Sequence, residues 1–268
     1  EVIAVYLKGK LRKGVGPQDV AFALVKATFA SGFVKNKILE FVGPGIANLS
    51  MDYRIGIDVM TTETTCLSSV WETDEKTHEY LAEHGREGDY TEMKIAEPAY
   101  YDGAVTIDLS RVEPMIALPF HPSNAYTIRE FLADPLPILE KVQEQGRKIK
   151  GDDSFTLTDK VRDGKVYVTQ GIIAGCAGGG YENVAEATEI LRGKSVGTGE
   201  FALSVYPASQ PVYKALTDAG YTSALMESGA VVKTAFCGPC FGAGDVPANN
   251  GLSIRHTTRN FENREGSK

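Results

Sequence analysis

Strand-length apolar runs that pass through a turn into stretches of helical period recur along this chain, and no other feature limits its fold as tightly. "VIAVYLKG" reads as a strand. After Gly14 to Gly16, "PQDVAFALVKATFASG" repeats its apolar residues at helical spacing, with Pro17 suited to a first turn and Gly32 to a C-cap. "KILEFVG" is a second strand. Ser50 reads as the N-cap of a helix running to about Cys66, and Thr73 or Asp74 opens another that ends at His84 before Gly85. "AVTIDLS" is again a strand. Further on, "VYVTQGIIAG" has the continuous apolar character of a strand buried on both faces. "YENVAEATEILRG", "EFALSVYPAS" and "QPVYKALTDAG" follow as helix, strand and helix, the last with Ser209 as cap and Gly220 as stop. Strands and helices in this alternation predict α/β layers with largely parallel sheets.

At 268 residues the chain can bury one large core or two ordinary ones. Between about 134 and 165 the pattern gives way to "DPLPILEKVQEQGRKIKGDDSFTLTDKVRDGK", punctuated by Pro and then strongly charged. This texture places a domain boundary near 148, with domains over 1–148 and 149–268. Residues 229–268, rich in Gly, Pro and Asn, read as loop-dominated. The net charge of −7 and isoelectric point near 5.3 argue against nucleic acid or an anionic membrane as partner, since both select for clustered Lys and Arg. A small anionic ligand needs only a few local arginines. No run approaches the ~20 apolar residues of a membrane helix, and "EVIAVYLKGK" lacks the basic-then-apolar order of a signal peptide, so the expected compartment is the cytoplasm. The chain has no initiator Met, opens on a strand and stops at "FENREGSK"; it reads as an excised piece of something longer.

Four cysteines, Cys66, Cys176, Cys237 and Cys240, are too few for a disulfide scaffold of this size. Cys237 and Cys240 enclose Gly-Pro, a spacing that serves a redox disulfide, a zinc site or a pair of thiolates for an iron–sulfur cluster. A thioredoxin-type pair places its first Cys at the N-terminus of a long helix, whose dipole lowers the thiol pKa. Here "FGAGDVPANNG" follows, and Gly, Pro and Asn would break such a helix within one turn. Structural zinc asks for a second C-x-x-C or a nearby His pair, and the sequence has neither. A third thiolate is available from Cys176 in "IIAGCAGGGYENV", just past the carboxyl end of the buried strand, where open α/β sheets bind ligands. Glycines at 175, 178, 179 and 180 would let a bulky group approach the backbone and its N–H groups. A lone Cys in such a turn can equally be just small and buried.

Taken together, "GCAGGGYEN" at 175–183, "CGPCFG" at 237–242 and "TTRNFENR" at 257–264 resemble the aconitase and isopropylmalate dehydratase superfamily. The corresponding family motifs are S-C-T-N, C-G-P-C-x-G and N-R-N-F-x-G-R. "EFVGPGIANLSMDYRIGIDVM" and "VEPMIALPFHPSNA" extend the likeness over almost the whole chain. The resemblance implies an aconitase-like α/β fold of two three-layer-type domains, the second and third of the family. It implies that Cys176, Cys237 and Cys240 hold a 4Fe-4S cluster whose fourth iron is left for water and substrate, in the manner of open catalytic metal sites. Cys66 is then a spectator; as a fourth ligand it would instead complete an electron-transfer cluster. Arg259 and Arg264 fall on the family's two substrate arginines, and guanidinium forks suit di- or tricarboxylates. Without the motif, two arginines near a terminus would read as merely solvated. Glu63, in "DVMTTETTC", matches a glutamate beside the cluster and its water, where a carboxylate can accept a proton. By itself a mid-helix Glu is usually a surface residue. His121, in "LPFHPSN", matches no catalytic position and is taken as structural.

The departures from the family pattern carry information. Gly175-Cys176-Ala177-Gly178 replaces Ser-Cys-Thr-Asn, Val59 stands for an Asn, Thr258 for the first Asn of N-R-N-F, and Asn263 for the Gly before Arg264. Each swap changes polar contacts in the expected cleft, so the substrate need not be citrate or isopropylmalate. The family's aspartate–histidine pairs would precede Glu1, and its serine base would lie in a domain beyond Lys268. The stretch alone is therefore expected to be inactive, dependent on those domains as partners, and prone to lose its cluster as exposed thiols oxidise. The reading is a hydro-lyase that dehydrates and rehydrates a hydroxy-carboxylate. Its rivals are an RNA-binding regulator that senses cluster loss, and a relic that keeps the fold without turnover.

Overall fold

In the computed structural model, which describes residues 1–265, the first half of the chain folds as β1 (Val2–Lys8), α1 (Pro17–Thr28), β2 (Ile38–Val42), α2 (Met51–Asp58), β3 (Ser68–Trp71), α3 (Glu75–Glu83) and β4 (Gly103–Asp108). The four strands pair in the order β3-β2-β1-β4, all parallel. Pro17 opens α1, and Asp19 accepts from the Gly16 amide at 2.7 Å to cap it. Ile3, Val5 and Leu7 of β1 meet Leu24 of α1, Leu39 and Phe41 of β2 and Ile57 of α2 in one core. Ser50 caps α2 as expected, its hydroxyl accepting from the Tyr53 amide. That helix stops at Asp58 rather than near Cys66, and 61–64 form a 3-10 turn. The cause is the threonine-rich run: Thr61 and Thr64 donate their hydroxyls to the carbonyls of Asp58 and Thr61, competing with the helical ladder.

Four short strands, β5 (Met115–Ala117), β6 (Ala125–Thr127), β7 (Val161–Arg162) and β8 (Lys165–Val166), surround α4 (Ile128–Ala133) and α5 (Pro135–Lys150). The chain divides into compact units at Met115/Ile116, whereas the boundary read near 148 falls inside the last turn of α5. What looked like a linker is an amphipathic helix. Pro135 occupies its first turn, Leu139, Val142 and Gly146 are buried, the charges lie on its outer face, and Gly151 ends it at φ +63°. Gln143, also buried, accepts from the amides of Leu157 and Thr158 and so ties down the charged segment that follows.

Next come β9 (Gln170–Ile173), α6 (Gly175–Gly178), α7 (Tyr181–Leu191), β10 (Ala202–Val205), α8 (Gln210–Asp218), α9 (Tyr221–Glu227), β11 (Val231–Val232) and β12 (Ser253–His256). These strands make a second all-parallel sheet, ordered β11-β10-β9-β12. Residues 229–268, read as loop, thus supply both edge strands. Val184, Leu203, Val205, Leu216 and Leu225 form the core under this sheet's helices. Among the described residues no helix is long and apolar enough to cross a membrane.

Candidate functional site

In a parallel sheet every strand ends at the same edge, and ligands gather where the chain's connections depart in opposite directions. In the second unit that point is β9, flanked by β10 on one side and β12 on the other. Cys176 follows β9, the Cys237–Cys240 turn follows β11, and Arg259 and Arg264 follow β12. The topology alone therefore sends all five sequence-predicted residues of this unit to one edge of the sheet.

The local geometry is close. Cys237 opens a 3-10 turn, Gly238–Phe241, with Pro239 in its first turn, rather than a helix. Cys240 is buried against Ile172, Ala174 and Tyr206, while Cys176 and Cys237 are exposed. Burial pushes the Cys240 thiol up to about 11; Cys237 and Cys176 add to the rise by their charge and Cys237 by a hydrogen bond, against a lowering by Arg264. Cys176, Cys237 and Arg264 thus each lie within electrostatic reach of Cys240. Gly175 makes this possible: at φ +73° it turns the chain out of β9, and a Cβ there would lie 2.6 Å from the Cys240 sulfur. Asn183 donates to the Ala177 carbonyl at 2.6 Å and closes the Cys176 turn.

Arg264 points a buried Nε that finds no hydrogen-bond partner among the described residues, and Glu265 beside it bridges to Arg255 at 3.0 Å. Arg259 is half-buried. Asn260 donates to the Leu118 carbonyl at 2.8 Å, and His121 stacks on Phe261 with centroids 5.3 Å apart, so the R-N-F segment is propped from 118–121. His121 also bonds Ser123, and burial lowers its pKa, which fits a structural role.

Glu63 lies in the first unit, 4 % exposed within the 61–64 turn; it is a buried carboxylate, not the surface residue a mid-helix Glu usually is. Cys66, also there, donates its thiol to the Thr61 carbonyl at 3.4 Å and packs on the first core, which accounts for it without a metal.

Two residues that sequence reasoning passed over are Arg255 and Asp245. Arg255 donates to the carbonyls of Pro239 and Asp245, and Asp245 accepts from Tyr206 at 3.0 Å and Lys233 at 2.9 Å. Their signal was present as charges embedded in stretches otherwise read as loop.

Among the described residues no three His, Cys, Asp or Glu side chains are gathered tightly enough for a single metal ion. A cluster asks for something wider, because its thiolates bind different irons. Three thiols, two of them exposed and one set over a glycine, suit such a group.

A family model described as the aconitase family (aconitate hydratase) matches residues 1–268. The 3-isopropylmalate dehydratase large subunit of Clostridium kluyveri is 30 % identical over 267 residues, 99 % of this chain and 55 % of that protein. That of Acetivibrio thermocellus is 31 % identical over the same shares. The 2,3-dimethylmalate dehydratase large subunit of Eubacterium barkeri is 31 % identical over 261 residues, 97 % of this chain and 54 % of that protein. The chain spans about half the length of the curated relatives it matches.

Proposed function

Because this chain belongs to the aconitase family, we propose that the full-length protein is a hydro-lyase that dehydrates and rehydrates a small hydroxy di- or tricarboxylate. The observation that supports this reading is that Cys176, Cys237 and Arg264, all following strands of the second sheet, each act electrostatically on the buried Cys240, which lies against Gly175. Those three thiols would hold a 4Fe-4S cluster, which when bound supplies a Lewis-acidic iron that makes a substrate hydroxyl a better leaving group. Arg264, with an unused buried Nε, and Arg259 bind and orient substrate carboxylates, for which planar forks are suited. Glu63 is the residue of this chain that holds or accepts a proton, and its burial favours that over a surface role.

Two relatives named above act, by name, on 3-isopropylmalate and 2,3-dimethylmalate; the substrate here is taken to be of that branched hydroxy-dicarboxylate class or close to it. Both are called large subunits. The full-length protein is accordingly taken to work with further domains or a second subunit, and the present stretch alone to lack turnover.

The test is anaerobic loading of the full-length protein with ferrous iron and sulfide, followed by hydration and dehydration assays on a panel of hydroxy-acids. Wild type is expected to gain brown absorbance and turn over at least one substrate, and Cys237→Ser to lose both. A loaded protein inert on the whole panel would support the relic. Tight, salt-sensitive RNA binding by the iron-free form would support the regulator, against which the net charge of −7 stands.

A further inference from the structure

Behind the cysteine turn lies a buried guanidinium that the reaction does not call for. Arg255 sits on β12 with its side chain 6 % exposed, and every one of its nitrogens is engaged. Nη1 donates to the Pro239 carbonyl at 2.5 Å, inside the C-G-P-C turn. Nη2 donates to the Asp245 carbonyl at 3.2 Å, five residues beyond Cys240, and to Gln170 Oε1 at 2.9 Å on β9. Nε reaches Ser253 at 2.9 Å and pairs with Glu265 at 3.0 Å. The same Gln170 donates to the Asp245 carboxylate at 3.2 Å and accepts from Ser253 at 2.7 Å.

A buried charge is costly unless fully partnered, and two of these partners are main-chain carbonyls, Pro239 within the turn and Asp245 just beyond it. Only a planar fork with five N–H donors can serve Pro239, Asp245 and β9 together while keeping its charge against Glu265. Within itself the turn is held by the Cys240 and Ala243 amides donating to the Cys237 and Gly238 carbonyls and by the burial of Pro239 and Cys240; Arg255 is the side chain that ties its Pro239 carbonyl to β12 and β9.

We propose that Arg255 is a positioning residue that clamps the Cys237–Cys240 turn onto β9 and β12, so that the two thiols of the turn are held ready beside Cys176. This rests on the iron–sulfur reading of those cysteines, but the clamp itself can be measured without iron.

The first arm uses the iron-free, reduced full-length protein and pulsed iodoacetamide, with mass spectrometry at each cysteine. In Arg255→Gln, Cys240 is expected to alkylate about tenfold faster, the change in local opening that follows loss of one charged hydrogen bond. Cys66, in the other compact unit, is the control for general loosening and should keep its wild-type rate. The second arm loads wild type, Arg255→Gln and Arg255→Lys anaerobically with ferrous iron and sulfide, then follows iron content and loss of cluster absorbance in air. Arg255→Gln is expected to hold less iron and lose it several-fold faster, with Arg255→Lys between it and wild type. The proposal is overturned if Arg255→Gln shows wild-type Cys240 alkylation, if Cys66 accelerates equally, or if Arg255→Lys matches wild type in iron content and rate of cluster loss. Failure of wild type itself to load would defeat the hydro-lyase reading instead, and the alkylation arm would still decide the clamp.

Discussion

Adding a single methyl at Gly178 tests whether the turn after β9 is set by packing against β12. A Cβ there would stand 2.0 Å from the His256 carbonyl oxygen, 3.0 Å from its carbon and 3.2 Å from the His256 Cβ. The nearest approach is more than an ångström inside ordinary contact, and the obstructing atom is main chain. It cannot swing aside, because it also accepts from the Ala174 amide at 3.2 Å where β9 and β12 end. Overpacking of this kind costs about 1–3 kcal/mol, and a backbone obstruction belongs at the upper end, about 3 kcal/mol. For a unit of this size each kcal/mol moves the melting temperature by about 2–4 °C, so Gly178→Ala should lower it by roughly 6–12 °C. Calorimetry reads the melt, and Trp71 fluorescence assigns it. The sole tryptophan stacks on Phe41 at 4.0 Å in the first unit, whose transition should not move. Adding His256→Ala should give no rescue, and Gly199→Ala, where a Cβ meets nothing within 4 Å, should stay within about 0.5 kcal/mol of wild type. A Gly178→Ala melt within about 2 °C of wild type would refute the reasoning.

Two further outcomes concern the first unit. Burial raises the Asp19 pKa to about 6, despite hydrogen bonds from the Gly16 and Met115 amides that lower it. A carboxyl whose folded pKa lies above its unfolded value contributes stability that is complete below about pH 4 and is lost as pH rises through 6, here at most about 3 kcal/mol. Urea midpoints measured by Trp71 fluorescence should therefore fall from pH 4 to pH 7 beyond any background trend, and Asp19→Asn should flatten that fall. Asp74 pairs with Arg54, 2 % exposed, and caps α3 by accepting from the Thr77 amide. Asp74→Ala should cost about 3 kcal/mol by the same assay, since it strands a buried guanidinium and removes a cap, while Asp74→Asn, which keeps the cap, should cost less.

The parts of the fold legible in the sequence were those where one local signal decides the structure. β1, α1, α3 and α8 each combine a clear apolar period with a punctuating Pro, Ser, Asp or Gly, and each starts where the pattern puts it, though α1 ends at Thr28 with Phe29 as its cap rather than at Gly32. β12 was not legible: "SIRH" is short and half polar, and it is a strand only because its backbone pairs with β9 from Ser253↔Gln170 to His256↔Ile173. Nor was α5, where a buried stripe of Leu139, Val142 and Gly146 was masked by surrounding charge that composition counts and periodicity would have discounted. At the site, motifs pointed to the thiols and arginines that would face a ligand. They did not reveal Arg255: its charge is visible in the sequence, but its pairing with the carbonyls of Pro239 and Asp245 is not.

The same distinction changes what the departures from the family pattern mean. Reading the loss of Asn at 178 as a change in substrate contacts assumed that the position faces the cleft. Instead it is buried and faces the His256 carbonyl, so a residue without a side chain is what the β9–β12 junction accepts. Ala177 and Thr258 are also buried, at 1 % and 6 % exposed. Asn263 sits at φ +56°, a left-handed position where Asn is the next best residue to the Gly it replaces. Three of these four residues are shaped by interior packing and the fourth by backbone conformation. Substrate choice is therefore better sought in residues with free surface near Cys176, Arg259 and Arg264 than in the letters by which the motifs differ.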